Sequence, residues 1–101
     1  MPTLHLNLKK KWFDMILSGE KKEEYRDLSD YWKKRFLNAR NNGIKSITFS
    51  NGYAKDRKQV IVNLRYIRIG SGVDVWGAER DKDYICCVLG DVMRTVNCKV
   101  T

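Results

Sequence analysis

The sequence has few of the features that divide a chain or carry it into a membrane. Its only proline is residue 2, so no proline-rich linker interrupts the 101 residues, and we expect one domain over residues 1–101. No apolar run approaches the roughly 20 residues that a membrane-spanning helix needs. The first residues also lack the cationic end and long apolar stretch of a signal peptide. These absences predict a cytoplasmic protein that makes no contact with a membrane.

Cysteine and histidine are also scarce. The chain has three cysteines, an odd number, and Cys86 and Cys87 are adjacent, unlike the paired cysteines of a disulfide-stabilised secreted domain. Neighbours on a strand point to opposite faces, so we expect reduced thiols that do not share one core. His5 is the only histidine, and alternation places it opposite the leucines of the first strand, which favours a surface or barrel-lining role over catalysis. No ligand spacing predicts a metal site, and no motif predicts a cofactor.

Positive charge is what the sequence has in excess. Twenty lysines and arginines against twelve acidic residues give a net charge of +8, which favours a polyanionic partner, nucleic acid first. Aromatic residues interleave with the first three basic clusters, as expected of a protein that binds single-stranded RNA. The alternative is solvated helix faces above an aromatic core. The lysines expected to contact phosphates are Lys9, Lys10, Lys33 and Lys34.

Apolar periodicity predicts five or six strands and two helices. Strands are expected at about 4–8, 21–27, 44–49, 59–69, 84–89 and 91–100, with a bend or bulge at Gly90. The first helix carries an apolar stripe between residues 12 and 17 and ends at Gly19, and the second covers about 29–41. Many strands and few helices in a short chain predict an α+β fold, a small mixed β-barrel or strongly curved sheet with both helices in the amino-terminal half.

Residues 16–26 resemble the signature of the ASCH family, an apolar helix end followed by Gly-x-Lys-x-x-Glu-x-Arg. Gly19, Lys21, Glu24 and Arg26 occupy the motif positions. Residues 47–53 and several positions between 76 and 90 fit the same family, so the resemblance covers nearly the whole chain in order. It implies a PUA-like β-barrel with a cleft beside it, lined by the motif and open to single-stranded RNA or a nucleotide-like small molecule.

Members of this family are mostly regarded as RNA-binding or RNA-modifying, so the resemblance leaves an enzyme as the alternative, with Lys21 and Glu24 as catalytic residues. One branch is similar to acetylcytidine amidohydrolases, whose threonine nucleophile falls where this chain has Glu24. A carboxylate is a poor substitute for that hydroxyl, which weighs against amidohydrolase activity and leaves a ribonuclease. A third option is a basic interaction domain whose cleft is empty.

The expected site combines the motif with polar and aromatic residues near a strand end and a later loop. Lys21 offers a cation for a phosphate or an oxyanion, and Glu24 offers a base-edge acceptor or a general base. Strict alternation along a strand places these two side chains on opposite faces unless Lys21 precedes the strand. Their structural alternatives are a surface lysine and an ion pair with Arg26. We expect a monomer or weak dimer. The expected ligand-binding residues are Lys21, Glu24, Arg26, Ser50, Asn51, Tyr53 and Trp76.

Overall fold

A computed structural model describes residues 3–98 of the chain. The described residues form five strands, two α-helices and one 3-10 turn. In chain order these are β1 (Leu4–Leu8), α1 (Lys10–Leu17), β2 (Glu23–Arg26), α2 (Asp30–Asn41), β3 (Ser46–Asn51), β4 (Lys58–Ser71), the turn Asp74–Trp76, and β5 (Asp83–Val96). Both helices lie in the amino-terminal half, as predicted. Within the described range, neither helix is long and apolar enough to cross a membrane.

The strands make a single sheet in the order β1-β3-β4-β5-β2. The pair β1 and β3 is parallel, whereas the other three pairs are antiparallel. The sheet curls into a half-barrel, which confirms the α+β class and the strong curvature expected from the sequence. Because the curl is incomplete, β1 and β2 remain as two separate edges of the sheet.

The pairing between β4 and β5 is irregular. Leu64 pairs with Leu89 and Val62 pairs with Val92, so Gly90 and Asp91 together lie opposite the single residue 63. An extra residue of this kind bends a strand and increases its twist. The predicted bend at Gly90 is therefore confirmed as a bulge. The strands predicted at 84–89 and 91–100 form one continuous strand as far as Val96, and residues 99 and 100 lie outside the described part.

The core fills the inside of the half-barrel and is covered by the two helices. Alternate leucines of β1 point inward, and α1 contributes Phe13 and Ile16, while α2 contributes Phe36 and Ala39. The amino terminus of α2 is capped by Ser29, whose side chain accepts a hydrogen bond from the backbone N–H of residue 32 at 3.2 Å. The apolar stripe expected for the first helix is present.

The adjacent cysteines lie in different surroundings, as strand alternation predicts. Cys87 belongs to the main core, whereas Cys86 packs in a second cluster with Ala78 and Tyr84. Both thiols are free and buried. Burial raises the pKa of each thiol above its ordinary value. These two cysteines are therefore packing residues of an inert kind.

Candidate functional site

Lys21 lies in the turn between α1 and β2, before the strand begins at Glu23. Gly19 adopts a left-handed conformation with φ +85° and reverses the chain there. The backbone N–H of Lys21 then donates to the carbonyl of Met15 at 2.9 Å, which fixes the turn against the helix. Because Lys21 is outside the strand, alternation does not apply to it, and its side chain reaches the face that carries Glu24.

Lys21, Glu24 and Arg26 form one buried network of charges. The Lys21 Nζ lies 3.2 Å from Oε1 of Glu24, and the two side chains are only 1% and 8% exposed. The other carboxylate oxygen, Oε2, accepts hydrogen bonds from Nε and Nη2 of Arg26 at 3.1 and 2.8 Å. The structure therefore brings the three motif residues together, and the Glu24–Arg26 ion pair considered as the structural alternative is also present.

The Lys21 ammonium is enclosed on its remaining sides. It donates a hydrogen bond to the backbone carbonyl of Trp76, and the rings of Trp12 and Tyr25 each lie 5.0 Å from Nζ. Burial lowers the pKa of Lys21 below its ordinary value, and the nearby Glu24 carboxylate partly opposes this effect. Lys21 is therefore buried, and the segment 72–78 supplies one of the groups that cover its ammonium.

The segment 72–78 is held in place by a second polar network on the other face of β2. The hydroxyl of Tyr25 accepts a hydrogen bond from the backbone N–H of Val73 at 2.9 Å and donates to Oε1 of Glu23 at 2.7 Å. Arg68 donates to both oxygens of the same carboxylate at 3.0 and 3.1 Å. Trp76 is half-buried, and the group it offers to Lys21 is its backbone carbonyl.

Arg26 connects the buried network to the surface. Its Nη2 donates to the carbonyl of Asn7 on β1 at 3.0 Å, so one guanidinium bridges the two edges of the half-barrel. The same guanidinium lies 4.9 Å from the ring centre of Trp32, a distance typical of a cation–π contact. Arg26 is 18% exposed and remains in contact with solvent.

A second arginine meets the same tryptophan. The guanidinium of Arg35 lies 5.4 Å from the Trp32 ring and 6.0 Å from the ring of Tyr31, which is 61% exposed. Arg35 also donates to the carbonyl of His5 at 3.3 Å. We call Arg26, Tyr31, Trp32 and Arg35 the arginine–aromatic stack. Sequence reasoning missed Arg35, although its place in the inner stripe of α2, beside Phe36, was a signal that it does not simply face solvent.

Ser50 and Tyr53 meet in a shallow cleft at the end of β3. The cleft has a volume of about 370 Å³ and is lined by His5, Leu6, Asn7, Ser50, Gly52, Tyr53 and Arg57. We call it the Tyr53 cleft, because this tyrosine is 87% exposed beside it. It adjoins the arginine–aromatic stack, since the residues that line it on β1 are those whose carbonyls accept from Arg26 and Arg35. Sequence reasoning missed Asn7 and Arg57 as site residues. The charged run 55–58 was the only signal for Arg57.

The polar residues expected at this strand end divide into two groups. Asn51 is used structurally, because its Nδ2 donates to the carbonyl of Leu8 at 3.1 Å. The hydroxyl of Ser50 accepts a hydrogen bond from the side chain of Gln59 at 3.0 Å, yet the residue still lines the Tyr53 cleft. Of Ser50, Asn51 and Tyr53, it is therefore Tyr53 that exposes a large surface to solvent.

The four lysines expected to contact phosphates are all exposed. Lys9 and Lys10 lie at the start of α1, where Lys10 pairs with Asp14 at 2.6 Å. Lys33 and Lys34 lie in the first half of α2, and Lys33 also lines a groove between that helix and β4. Lys33 and Lys34 thus share a helix with the arginine–aromatic stack, and part of the charge of Lys10 is already neutralised.

Among residues 3–98, no group of three or more His, Cys, Asp or Glu side chains is arranged to hold a metal ion. The chain matches no family model, no curated protein and no solved structure. Its function is accordingly inferred from its own residues and from the motif at residues 19–26.

Proposed function

We propose that this protein is a PUA-like, ASCH-related domain that binds single-stranded RNA or a nucleotide-like ligand across the arginine–aromatic stack and the Tyr53 cleft. The observation that carries the proposal is the Trp32 ring, with the guanidinium of Arg26 at 4.9 Å and that of Arg35 at 5.4 Å. Guanidinium planes and aromatic faces are the groups on which unpaired bases stack. The net charge of +8 supplies the attraction for the phosphates.

In this proposal the ASCH-like motif acts by positioning Arg26. Glu24 holds the Arg26 guanidinium through two hydrogen bonds to Oε2. Lys21 holds the same carboxylate in place through an ion pair with Oε1. A guanidinium held in this way loses little conformational freedom when a base or a phosphate binds. Lys21 and Glu24 are therefore positioning residues, and Arg26 is the motif residue that touches the ligand.

The Tyr53 cleft gives the ligand a second contact region on the same side of β1. Tyr53 offers an exposed ring for a neighbouring base, and Arg57 offers a guanidinium for a phosphate. Tyr31, in the arginine–aromatic stack, offers a further exposed ring. A short single strand that crosses β1 would therefore find alternating aromatic faces and cations.

The alternative is an enzyme that acts on RNA or a modified nucleoside, with Lys21 and Glu24 as catalysts. The lowered pKa of Lys21 favours it, because burial makes this lysine a weaker base than an ordinary one and eases the release of its proton. Its enclosure by Trp76, Trp12 and Tyr25 weighs against it, since the chemistry would require the segment 72–78 to open. Amidohydrolase activity also lacks its nucleophile, because residue 24 is a glutamate.

The test is a fluorescence titration with a short mixed-sequence single-stranded RNA at two salt concentrations. Tyr31→Ala and Tyr53→Ala should each weaken binding by about 5- to 150-fold, since one stacked base contributes about 1–3 kcal/mol. Tyr66→Ala is the matched control, because Tyr66 is also an exposed tyrosine, at 57%, but lies in neither contact region. Equal binding by all four proteins, with affinity lost on adding salt, would show counterion release alone and would refute the proposal.

The same labelled RNA distinguishes binding from catalysis. Under the binding proposal the RNA stays intact during incubation with the wild-type protein. Cleavage by the wild type that disappears in Lys21→Gln, with binding retained, would instead establish the enzyme alternative.

A further inference from the structure

The long strand β4 has an unpaired edge over its second half. Its pairing with β3 ends at Asn63, and the last backbone contact on that side is the Leu64 N–H to the carbonyl of Lys45, at 2.9 Å. Pairing with β5 on the other side continues to Ser71. In the described structure no strand therefore lies against this edge from Arg65 onward. A strand edge of this kind is a template for an added extended segment.

A groove follows this edge, between β4 and α2. Its volume is about 800 Å³, within the range of natural ligand sites. Ile67 and the buried Ile85 line its inner part, and the exposed side chains of Leu37, Tyr66 and Ile69 stand around its opening. The groove therefore offers apolar surface directly beside backbone groups that have no partner strand.

The charges around the groove all have one sign. The charged side chains that line it are Lys33 and Arg40 on α2 and Arg65 and Arg68 on β4, and no carboxylate is among the lining residues. Arg68 is already paired with Glu23 at 3.0 Å, whereas the other three form no ion pair within residues 3–98. This arrangement is complementary to a partner that is both apolar and acidic.

We propose that this groove binds an extended peptide segment of alternating acidic and apolar residues, which adds to the edge of β4 as a further strand. The peptide backbone pairs with the edge, its apolar side chains enter the groove, and its carboxylates meet Lys33, Arg40 and Arg65. An RNA strand satisfies only the last of these conditions, because it has no backbone that pairs with a strand edge. This site shares Lys33 with the expected phosphate contacts, but it shares no residue with the arginine–aromatic stack or the Tyr53 cleft.

The experiment uses a fluorescein-labelled peptide of eight residues that alternates glutamate and valine, titrated with the full chain and followed by anisotropy. Saturable binding is expected, and a peptide that alternates lysine and valine should not bind. N-methylation of every peptide bond should abolish binding, because it removes the donors on both edges of the peptide and leaves none to pair with β4. Arg40→Glu should weaken binding at least tenfold, whereas Lys55→Glu, the same charge change at an exposed site outside the groove, should leave it nearly unchanged.

Several results would overturn the proposal. The alternating peptide could fail to bind, or the N-methylated peptide could bind equally well, which would remove the strand-addition mode. If the single-stranded RNA displaced the peptide, and Arg40→Glu lost affinity for both to the same extent, the groove would be part of the nucleic-acid surface. Sedimentation that shows a dimer broken by Ile69→Ser would assign the edge to a second copy of this chain. Circular dichroism of each variant checks that the fold is retained.

Discussion

Lys21 and Arg26 each contact the carboxylate of Glu24, through different oxygens. Lys21 Nζ lies 3.2 Å from Oε1, and Arg26 Nη2 lies 2.8 Å from Oε2. Two cations and one anion are therefore held together where little solvent enters. Such a group is stable only while the central anion is present, because its removal leaves two like charges close together with no counter-ion.

Loss of the Glu24 charge should therefore destabilise the whole fold. We expect Glu24→Gln to lower the free energy of unfolding by about 3–5 kcal/mol, measured by urea denaturation. Asp14→Asn is the matched control, because it breaks the exposed Lys10–Asp14 pair and should cost only about 0.5 kcal/mol. Equal small losses in both variants would show that the buried network contributes little to stability.

The salt dependence of RNA binding should identify which lysines contact phosphates. Each lysine that neutralises a phosphate of a single strand contributes about 0.7 to the slope of log K against log salt. We expect Lys33→Gln with Lys34→Gln to reduce the slope by about 1.4, while Lys10→Gln changes it less because Lys10 is paired with Asp14. An unchanged slope in the double variant would remove these two lysines from the phosphate contacts.

Raising the pH above 9 should destabilise the protein through Cys87. Burial, with a smaller contribution from Glu24, raises the pKa of this thiol above its ordinary value of 9.0. The unfolded chain therefore releases this proton at a lower pH than the folded chain, so the folded state binds more protons and its stability falls as the pH rises. One such group contributes about 1.4 kcal/mol per pH unit once the pH is well above 9.

Unfolding measured between pH 10 and 11 tests this effect. Cys87→Ala should show a shallower loss of stability with pH than the wild type, by about 1.4 kcal/mol per pH unit. Val62→Ala removes a buried side chain of the same core without removing a titratable group, so it should lower stability while keeping the wild-type slope. Parallel slopes in all three proteins would contradict the assignment to Cys87.

Crowding at Gly72 should open the segment that encloses Lys21. A Cβ at this position would lie 2.6 Å from ring atoms of Tyr25 and 2.7 Å from the Cβ of Ala78, so the segment or the ring must shift. We expect Gly72→Ala to raise acetylation of Lys21 by an amine reagent about tenfold, consistent with an overpacking cost of about 1–3 kcal/mol. Mass spectrometry measures the modification, with the exposed Lys22 as an internal reference. No increase would mean that the segment tolerates the methyl group in place.

The local elements could be predicted from the sequence, but the order of the strands could not. Alternating leucines predict β1, and Gly90 marks the bulge, because these features depend on neighbours along the chain. The parallel pairing of β1 with β3 and the place of β2 beside β5 depend on contacts across the whole molecule. The sequence therefore predicts a strongly curved sheet without predicting which strands form its edges.

The candidate site was predictable to a similar degree. The motif identified Lys21, Glu24 and Arg26 as a group, and the structure brings them together because Lys21 precedes the strand. The burial of Lys21 was not predictable, since it involves the segment 72–78, which is distant in sequence. The contact of Arg26 with Trp32 depends in the same way on how α2 packs against the half-barrel.

The hydrogen bond from Arg26 to the carbonyl of Asn7 spans the open seam of the half-barrel, where β1 and β2 face each other without pairing. Arg26, whose side chain bridges this gap between β1 and β2, is also the residue proposed to contact the ligand. We therefore expect ligand binding to change this contact: a ligand that pulls the guanidinium away from Asn7 should weaken the hydrogen bond, and one that stacks on the guanidinium in place should strengthen it. Ligand binding should therefore change how firmly β1 is held beside β2. The hydrogen-exchange rate of the β1 amides, measured with and without RNA, would report this change.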